Sequence, residues 1–493
     1  MPSPATPATP ADSFGRRLLA AVAVGSLLTS VTMVPIATAA PPPVDAGPVD
    51  AGAVDLGAPS IHYEEAMAHA GDRIAFEPGG RVRVGFRPRP GTADVAGQRS
   101  RPLPAGRASG HEMAAAPQGS VWTPVGSEGD RHPIDGPAVD AGSVVLEADL
   151  TAAHDLAGLE PAATLAATAG LRREVFGFLP YWQLNSSSLR LDYDLLSTIA
   201  YFSVPADRAG NLVKRNSDGT IATGWAGWTS SRLTSVIDAA HARGTRVVLT
   251  VTMFAWTTAQ RSAQAAFLGD ETARRNLARQ AAAAVRDRGA DGINLDFEPI
   301  ASGYAEEYAA FVRDVRRELD AIAPGYQLTV DTTGHIGNYP LEELVAPGAA
   351  DAIFIMGYDY RTAGADYAGS IAPLAGPAYD LTDTVRAYVA RVPASALILG
   401  VPYYGRAWST VSDALNAQTR SDSRYGSSVT AVYTTAVSLA AQYGRRYDST
   451  EHSPWTAYRR QYCSSSGCVT TWRQLYYDDA VSLSRKYDLI NRY

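Results

Sequence analysis

Lysine is almost absent from this chain of 493 residues, in which Lys214 and Lys486 are the only two. Arginine supplies the rest of the positive charge, and the formal net charge is −7. A surface that binds nucleic acid needs a dense basic patch to neutralise phosphates, and the sequence shows no such cluster. We therefore expect no nucleic-acid partner.

Long apolar runs are also missing after the first forty residues. Within those forty, Arg16 and Arg17 precede a mostly apolar run over 18–34, and alanines follow it. This pattern is typical of a secretory signal peptide over residues 1–40. A membrane anchor is the alternative, but the run contains glycine, serine and threonine, and a span needs about 20 strongly apolar residues. We expect a secreted or cell-wall-associated protein without stable membrane insertion after cleavage.

Cysteine is nearly absent too, since Cys463 and Cys468 are the only two. In an exported chain, two cysteines this close are expected to form one local disulfide. A zinc site would need further ligands, and the eight histidines are scattered without an HExxH motif. The sequence therefore predicts a pinned loop, no metal centre and no cofactor.

Residues 41–170 contain few aromatic side chains and are rich in alanine, glycine, proline and aspartate. Such a composition cannot bury a core, so it predicts a largely disordered linker. The composition changes near Leu171, where short apolar segments begin to alternate with amphipathic helical segments. The folded domain is therefore expected over 171–493.

Seven apolar segments in this domain have the length and composition of strands. Continuous apolar strands separated by helices indicate a parallel sheet covered on both faces. An open doubly wound sheet would also fit, but it usually carries a glycine-rich phosphate-binding turn, and none is present. We predict an α/β fold of the (β/α)8 TIM-barrel type. The predicted strands are 175–179, 198–204, 246–253, 292–298, 327–332, 352–357 and 396–401.

An eighth strand is not found in the sequence, although closing a barrel of this type takes eight. We predict a barrel that lacks its eighth strand, as in a truncated product, and has two unpaired edges. A segment from the amino-terminal region is the alternative filling, but none there resembles a long apolar strand. The long connection 409–475 predicts a small insertion between the seventh strand and the last helix.

The fourth predicted strand carries three polar side chains at alternate positions, Asn294, Asp296 and Glu298. Period two along a strand places them on one face, inside the barrel, with Glu298 nearest the carboxyl end. Two neighbouring carboxylates repel each other, which raises the pKa of one of them. Glu298 is then suited to remain protonated and to act as a general acid. A loop-pinning acidic cluster would not place acids at alternate positions of an apolar strand.

The segment from Asp291 to Glu298 resembles the DxxDxDxE signature of family 18 glycoside hydrolases, the chitinase-like barrels. The resemblance implies that Glu298 is the proton donor and later the base. It also implies that Asp296 orients and charge-stabilises the substrate's 2-acetamido group, whose oxygen attacks the anomeric carbon. An oxazoline forms and the configuration is retained. Further matches cover most of the domain and lie at 176–182, 356–359 and 400–408.

The same resemblance implies that Tyr358 hydrogen-bonds the acetamido group, which completes the catalytic set. Asn294 stands where many members of the family have aspartate, so it donates a hydrogen bond but cannot exchange a proton. With asparagine at this position, the motif resembles that of the bacterial cell-wall and spore-cortex N-acetylglucosaminidase branch of the family. The implied substrate-binding residues are Asn294, Asp291, Asp359, Met356, Trp182, Tyr181 and Tyr403.

The resemblance therefore implies a retaining glycosidase that cuts β-1,4 bonds in chitin or peptidoglycan, next to N-acetylglucosamine. With the signal peptide, we expect this enzyme to be secreted and monomeric. The alternative is a lectin-like barrel at the cell surface that binds the polysaccharide and has lost catalysis. The presence of Glu298 favours the enzyme, because that carboxyl is needed for proton transfer and not for binding. A third interpretation, an adhesion module, depends only on the linker.

Overall fold

The computed structural model describes residues 59–87, 109–110, 171, 173–187, 189–377, 379–420, 422–464 and 467–493. The predicted signal peptide and most of the predicted linker lie outside these residues. No helix in the described ranges is both long enough and apolar enough to cross a membrane.

Seven parallel strands form the central sheet, and they neighbour one another in chain order. This confirms the α/β fold of TIM-barrel type and the positions of all seven predicted strands. The strands are β2 (Phe176–Pro180), β3 (Thr198–Pro205), β4 (Arg246–Phe254), β5 (Gly292–Glu298), β6 (Gln327–Thr333), β7 (Ala352–Met356) and β8 (Leu397–Leu399).

Helices connect these strands, and their ends follow from local sequence. The Asp270 side chain accepts hydrogen bonds from Thr272 N and Ala273 N, and Gly289 ends the same helix with φ +72°. The helices are α1 (Ile61–His69), α2 (Thr223–Trp228), α3 (Ser231–Ala242), α4 (Thr258–Gly269), α5 (Glu271–Arg288), α6 (Ala305–Ile322), α7 (Leu341–Leu344), α8 (Leu381–Val389), α9 (Tyr433–Tyr443) and α10 (Ala480–Arg492).

The two faces of the sheet belong to different apolar clusters. Ile293, Leu295 and Phe297 of β5 join the large cluster between the sheet and the helices. A second cluster lies on the opposite face and includes Phe178 of β2 and Phe354 of β7. Burying each of these side chains contributes roughly 1.5–3 kcal/mol. The inner face of β5 is therefore left for its polar residues.

The edge of the sheet beside β8 carries a short additional strand, β1 (Ser109–Gly110), which comes from the amino-terminal region. It pairs in parallel with β8, with Ser109 opposite Ile398. Seven barrel strands within the described residues confirm the predicted lack of a full eighth strand. The edge at β8, which the sequence analysis expected to be unpaired, is nevertheless paired over two residues. The favoured argument required a long apolar strand, whereas two residues provide the pairing.

An antiparallel five-stranded sheet follows the barrel strands, where an insertion was predicted. Its longest hairpin ends at the predicted disulfide, because Cys463 and Cys468 are opposite each other and bonded. The strands are β9 (Tyr404–Thr410), β10 (Val429–Val432), β11 (Arg446–Asp448), β12 (Ser453–Ser464) and β13 (Gly467–Tyr476).

Residues 59–87 lie within the predicted disordered linker, but they pack against the barrel. The Arg288 guanidinium donates a hydrogen bond of 2.7 Å to Gly80 O. At Gly79 a Cβ atom would lie 2.4 Å from Ser230 O, so the close approach requires glycine. The prediction of a linker used the average composition of residues 41–170, and that average does not indicate the contacts of residues 59–87.

Candidate active site

The polar face of β5 lies inside the barrel, as the alternating pattern predicted. Asn294, Asp296 and Glu298 are all fully buried there. Their neighbours in sequence point to the helices, so the strand separates an acidic interior from an apolar exterior. This arrangement holds the two carboxyl groups on one rigid element.

A third buried acid, Asp331 on β6, completes this interior and was not predicted. The Asn294 amide donates to Asp331 Oδ2 at 2.8 Å, and Thr329 Oγ1 donates to Asn294 Oδ1 at 2.6 Å. The signal for it was present, because Gln327, Thr329 and Asp331 are polar at alternate positions. The strand was interpreted only as an apolar barrel strand.

The buried acids perturb one another's protonation. Burial, followed by the charge of Asp296, raises the pKa of Glu298 well above its usual range. The same two causes raise the pKa of Asp331. Each of these three carboxyl groups keeps one buried oxygen without a hydrogen-bond partner in the described part of the chain. Glu298 is therefore suited to carry a proton near neutral pH.

The end of β7 supplies the next group of predicted residues. Met356 is buried at the last position of the strand, and the Tyr358 ring follows it into the same interior cluster. Burial raises the pKa of Tyr358 well above its usual value, so its hydroxyl keeps its proton. Asp359 comes next, with a left-handed backbone at φ +62°.

Tyr404 is the tyrosine that contacts Asp359, whereas the sequence predicted the preceding residue, Tyr403, as the substrate-binding one. Tyr404 OH donates to Asp359 Oδ1 at 2.6 Å. Tyr403 instead hydrogen-bonds the hydroxyl of Tyr487 on α10, at 2.8 Å. Successive side chains point in opposite directions, so one residue decides which tyrosine faces the cleft.

Asp291, which the resemblance placed among the substrate-binding residues, lies at the other end of β5. Its carboxylate accepts hydrogen bonds from His241 Nε2 and from Val247 N, both at 2.7 Å. At about 3.3 Å per residue, it is roughly 23 Å along the strand from Glu298. In this structure Asp291 fixes the start of the strand and does not line the cleft.

The most unexpected feature of the cleft is its contact with the amino-terminal segment. Ser60 Oγ donates to Glu298 Oε1 at 2.6 Å. The His62 ring lies 3.1 Å from Asp296 Oδ2 through Nδ1 and 2.9 Å from Tyr358 OH through Nε2. Two residues of this segment therefore contact all three predicted catalytic side chains.

Neighbouring residues extend this contact. Ile61 N donates to Asp359 Oδ2 at 2.6 Å. Glu64 accepts a hydrogen bond of 2.5 Å from the buried Arg406 guanidinium. Ser60 also caps α1, so the helix begins directly above the acids.

The predicted aromatic residues of the first strand meet the end of the same helix. The His69 ring stacks on Trp182 with centroids 4.1 Å apart and planes 10° from parallel. Tyr181 OH donates to His69 O at 2.7 Å. The His69 ring therefore covers one face of the Trp182 indole, which the resemblance placed among the substrate-binding residues.

The imidazole of His62 is held in a strongly acidic setting. Burial lowers its pKa, but the charge of Asp296 and the hydrogen bond to it outweigh burial and leave the pKa raised. Ligand atoms of His62, Asp296 and Asp331 lie within 4.8 Å of one another. His62 Nδ1 bonds Asp296 directly, and a metal ion would have to break this contact.

Comparison with known proteins agrees with this geometry. The sequence profile described as Glycosyl hydrolases family 18 matches residues 178–493. YdhD of Bacillus subtilis, described provisionally as a sporulation-specific glycosylase, is 27% identical over 239 residues, which are 46% of this chain and 50% of that protein. Chitinase 1 of Aphanocladium album is 30% identical over 183 residues, which are 34% of this chain and 42% of that protein. The chain thus spans about half or less of these two relatives.

A crystal structure of a class V chitinase from Nicotiana tobaccum shares the fold, with a TM-score of 0.52 at 19% identity. The match covers 64% of this chain and 89% of the chitinase chain.

Proposed function

Because the chain belongs to glycosyl hydrolases family 18, we propose that it hydrolyses β-1,4 bonds next to N-acetylglucosamine, with Glu298 as the proton donor. The observation that supports this most is the fully buried pair Asp296 and Glu298 on one face of β5. Burial and the charge of Asp296 raise the pKa of Glu298 well above its usual range. An acid that keeps its proton near neutral pH can protonate a leaving oxygen.

The proposed reaction retains configuration through the substrate's own acetamido group. Glu298 protonates the glycosidic oxygen while the acetamido oxygen attacks the anomeric carbon and forms an oxazoline. Asp296 accepts the acetamido N–H and stabilises the positive charge that develops, and Tyr358 OH donates to the acetamido oxygen. The Glu298 carboxylate then takes a proton from the water that opens the oxazoline.

Asn294 takes part only through its neighbours in this scheme. Its amide donates to Asp331 and its carbonyl accepts from Thr329, so it orients the acidic interior without exchanging protons. The proposed reaction therefore does not depend on an aspartate at position 294.

The substrate class we propose is a glycan that contains N-acetylglucosamine, either chitin or peptidoglycan, met outside the cell. The predicted signal peptide over 1–40 supports export. Similarity to YdhD, a sporulation-specific glycosylase by its description, supports action on a glycan, and similarity to Chitinase 1 supports chitin.

The test is to incubate the purified protein with chitohexaose and, separately, with peptidoglycan, and to identify the products by mass spectrometry. Proton NMR of the first product should show the β-anomer, as net retention requires. Glu298→Gln should lower the rate by about 10²- to 10⁴-fold, because it removes the proton but keeps the shape. Because His62 occupies the cleft of the unaltered chain, the deciding comparison is made in the His62→Ala background. Turnover of the double variant within a few fold of His62→Ala alone would refute the assignment.

The same assays should be run with His62→Ala, once as a single substitution and once combined with Glu298→Gln. His62 contacts Asp296 and Tyr358. Activity that appears in His62→Ala and is lost in the double variant would show that the cleft is active but obstructed in the unaltered chain.

A further inference from the structure

We propose that residues 59–69 are an autoinhibitory segment that keeps the enzyme latent by occupying its catalytic cleft. The inference rests on the proposed function, because inhibition needs an activity to inhibit. The segment consists of Pro59, of Ser60, which caps α1, and of the helix itself.

The first argument is that the segment takes the atoms that the reaction needs. Ser60 Oγ lies 2.6 Å from Oε1 of Glu298, the proposed proton donor. His62 holds Asp296 Oδ2 and Tyr358 OH together. A sugar cannot reach these three side chains while Ser60 and His62 remain in place.

The second argument is that His62 matches the group it would exclude. An acetamido group has a nitrogen and an oxygen joined through one carbon, and the two imidazole nitrogens are also joined through one carbon. In the proposed reaction the acetamido N–H meets Asp296 and its oxygen meets Tyr358. Nδ1 and Nε2 of His62 meet the same two partners, so the ring stands where the acetamido group would be.

The third argument is that the contact is specific and extends along the cleft. The Ile61 amide bonds Asp359, and Glu64 pairs with Arg406, which is 1% exposed. Ser60, Ile61 and His62 are themselves buried. A chance contact of a linker would not bury a serine and a histidine against two buried acids, because unpaired polar groups are costly to bury.

The fourth argument is that the chain following the segment is anchored to the barrel as well. The Arg83 and Val84 amides donate to Asp238 of α3 at 2.6 and 2.9 Å. His241 on the same helix contacts Val84 O at 2.6 Å. These contacts fix residues 83–84 on α3 while α1 lies in the cleft.

The experiment compares the unaltered chain with His62→Ala and with Glu64→Arg. The first variant removes two hydrogen bonds, one of them to a carboxylate, and the second places a cation against Arg406. Both substitutions lie outside the barrel, so they leave its catalytic residues intact. Met67→Ala is the matched control, because Met67 is on the same helix but is 43% exposed.

The first readout is the initial rate of chitotetraose hydrolysis. We expect kcat/KM to rise about 10- to 100-fold in His62→Ala, as expected for the loss of such bonds, and to rise in Glu64→Arg. Met67→Ala should not change it. The second readout is calorimetric binding of chitotetraose in the Glu298→Gln background, where His62→Ala should bind it more tightly than the chain with the unaltered segment does.

The third readout does not depend on any sugar. Hydrogen exchange followed by mass spectrometry should show residues 59–72 protected in the unaltered chain and exchanging faster in both variants. Protection of 292–298 should be unchanged, which shows that the barrel is folded.

These readouts separate the two hypotheses. If the segment is released in the variants but the unaltered chain hydrolyses and binds chitotetraose equally well, autoinhibition is wrong and the proposed function stands. If the segment is released and no form binds or hydrolyses chitotetraose or peptidoglycan, the proposed function is wrong. Rapid exchange of 59–72 in the unaltered chain would overturn the docking itself.

Discussion

Asn294→Asp is the substitution whose effect on stability can be worked out most fully from the structure. It would add a carboxyl group 2.8 Å from Asp331 Oδ2, in a fully buried site that already holds Asp296 and Glu298. The substitution would also remove the amide that donates a hydrogen bond to Asp331. The new carboxyl group must therefore either ionise among like charges or take up a proton on folding.

Proton uptake sets an upper bound on the cost. An aspartate with an unfolded pKa of about 3.9 costs about 1.4 kcal/mol for each pH unit above that value when the fold keeps it protonated. The bound is thus about 4 kcal/mol at pH 7 and about 1.5 kcal/mol at pH 5. Because the folded pKa is the raised one, the variant loses stability as pH rises.

The assay is urea denaturation of Asn294→Asp and of the unaltered protein at pH 5 and pH 7. Subtracting the two proteins at each pH removes the titrations that they share. We expect the destabilisation to grow by up to about 2.7 kcal/mol between the two pH values. Asn294→Ser is the control, since it loses the same hydrogen bonds without adding an ionisable group, so any change of its cost with pH comes from Asp331 and is subtracted. An equal cost of the aspartate variant at pH 5 and pH 7 would refute the reasoning.

Two further predictions concern the frame around the site. His241 lies between two acceptors, Val84 O and Asp291 Oδ2, and although burial lowers its pKa, the bond to Asp291 leaves the pKa raised. The contribution of His241 to the free energy of unfolding should be complete below about pH 6.5 and lost as pH rises through the folded pKa. His241→Gln should therefore reduce the loss of stability over that pH range in urea denaturation, and an unchanged dependence of stability on pH would contradict this. Gly292→Ala would place a Cβ 2.0 Å from a backbone oxygen of the adjacent strand and should abolish soluble expression, whereas Gly364→Ala meets nothing within 4 Å and should be neutral. Soluble, folded Gly292→Ala would show that the strands can separate there.

Sequence reasoning was sufficient where the pattern is local. Alternation along β5 placed Asn294, Asp296 and Glu298 inside the barrel, because one strand fixes the direction of its own side chains. It was not sufficient at Tyr403, since the cleft-facing residue is Tyr404 and the chain leaves the sheet just before it. The bend after β8 resets the phase of the alternation.

The contacts of the amino-terminal segment were beyond local reasoning for a different reason. Ser60 and Glu298 are 238 positions apart, and nothing in the composition around Ser60 distinguishes a docked helix from a linker. α1 buries only Ile61 and His62 of its nine residues, so it has no apolar stripe of the usual kind. Its position depends on the surface it meets, and that surface exists only after the barrel has folded.

The covalent connection between α1 and the barrel has a consequence for how the proposed inhibition responds to dilution. A ligand that belongs to the same chain meets its site at an effective concentration set by the connecting segment, and this does not fall when the protein spreads into a larger volume. Hydrolysis of one peptide bond between residues 87 and 171 would change the same contacts into a bimolecular equilibrium. The cleaved segment would then dissociate from the barrel when the protein is diluted. A single cut would therefore relieve the proposed inhibition in dilute solution and leave it in place at high protein concentration.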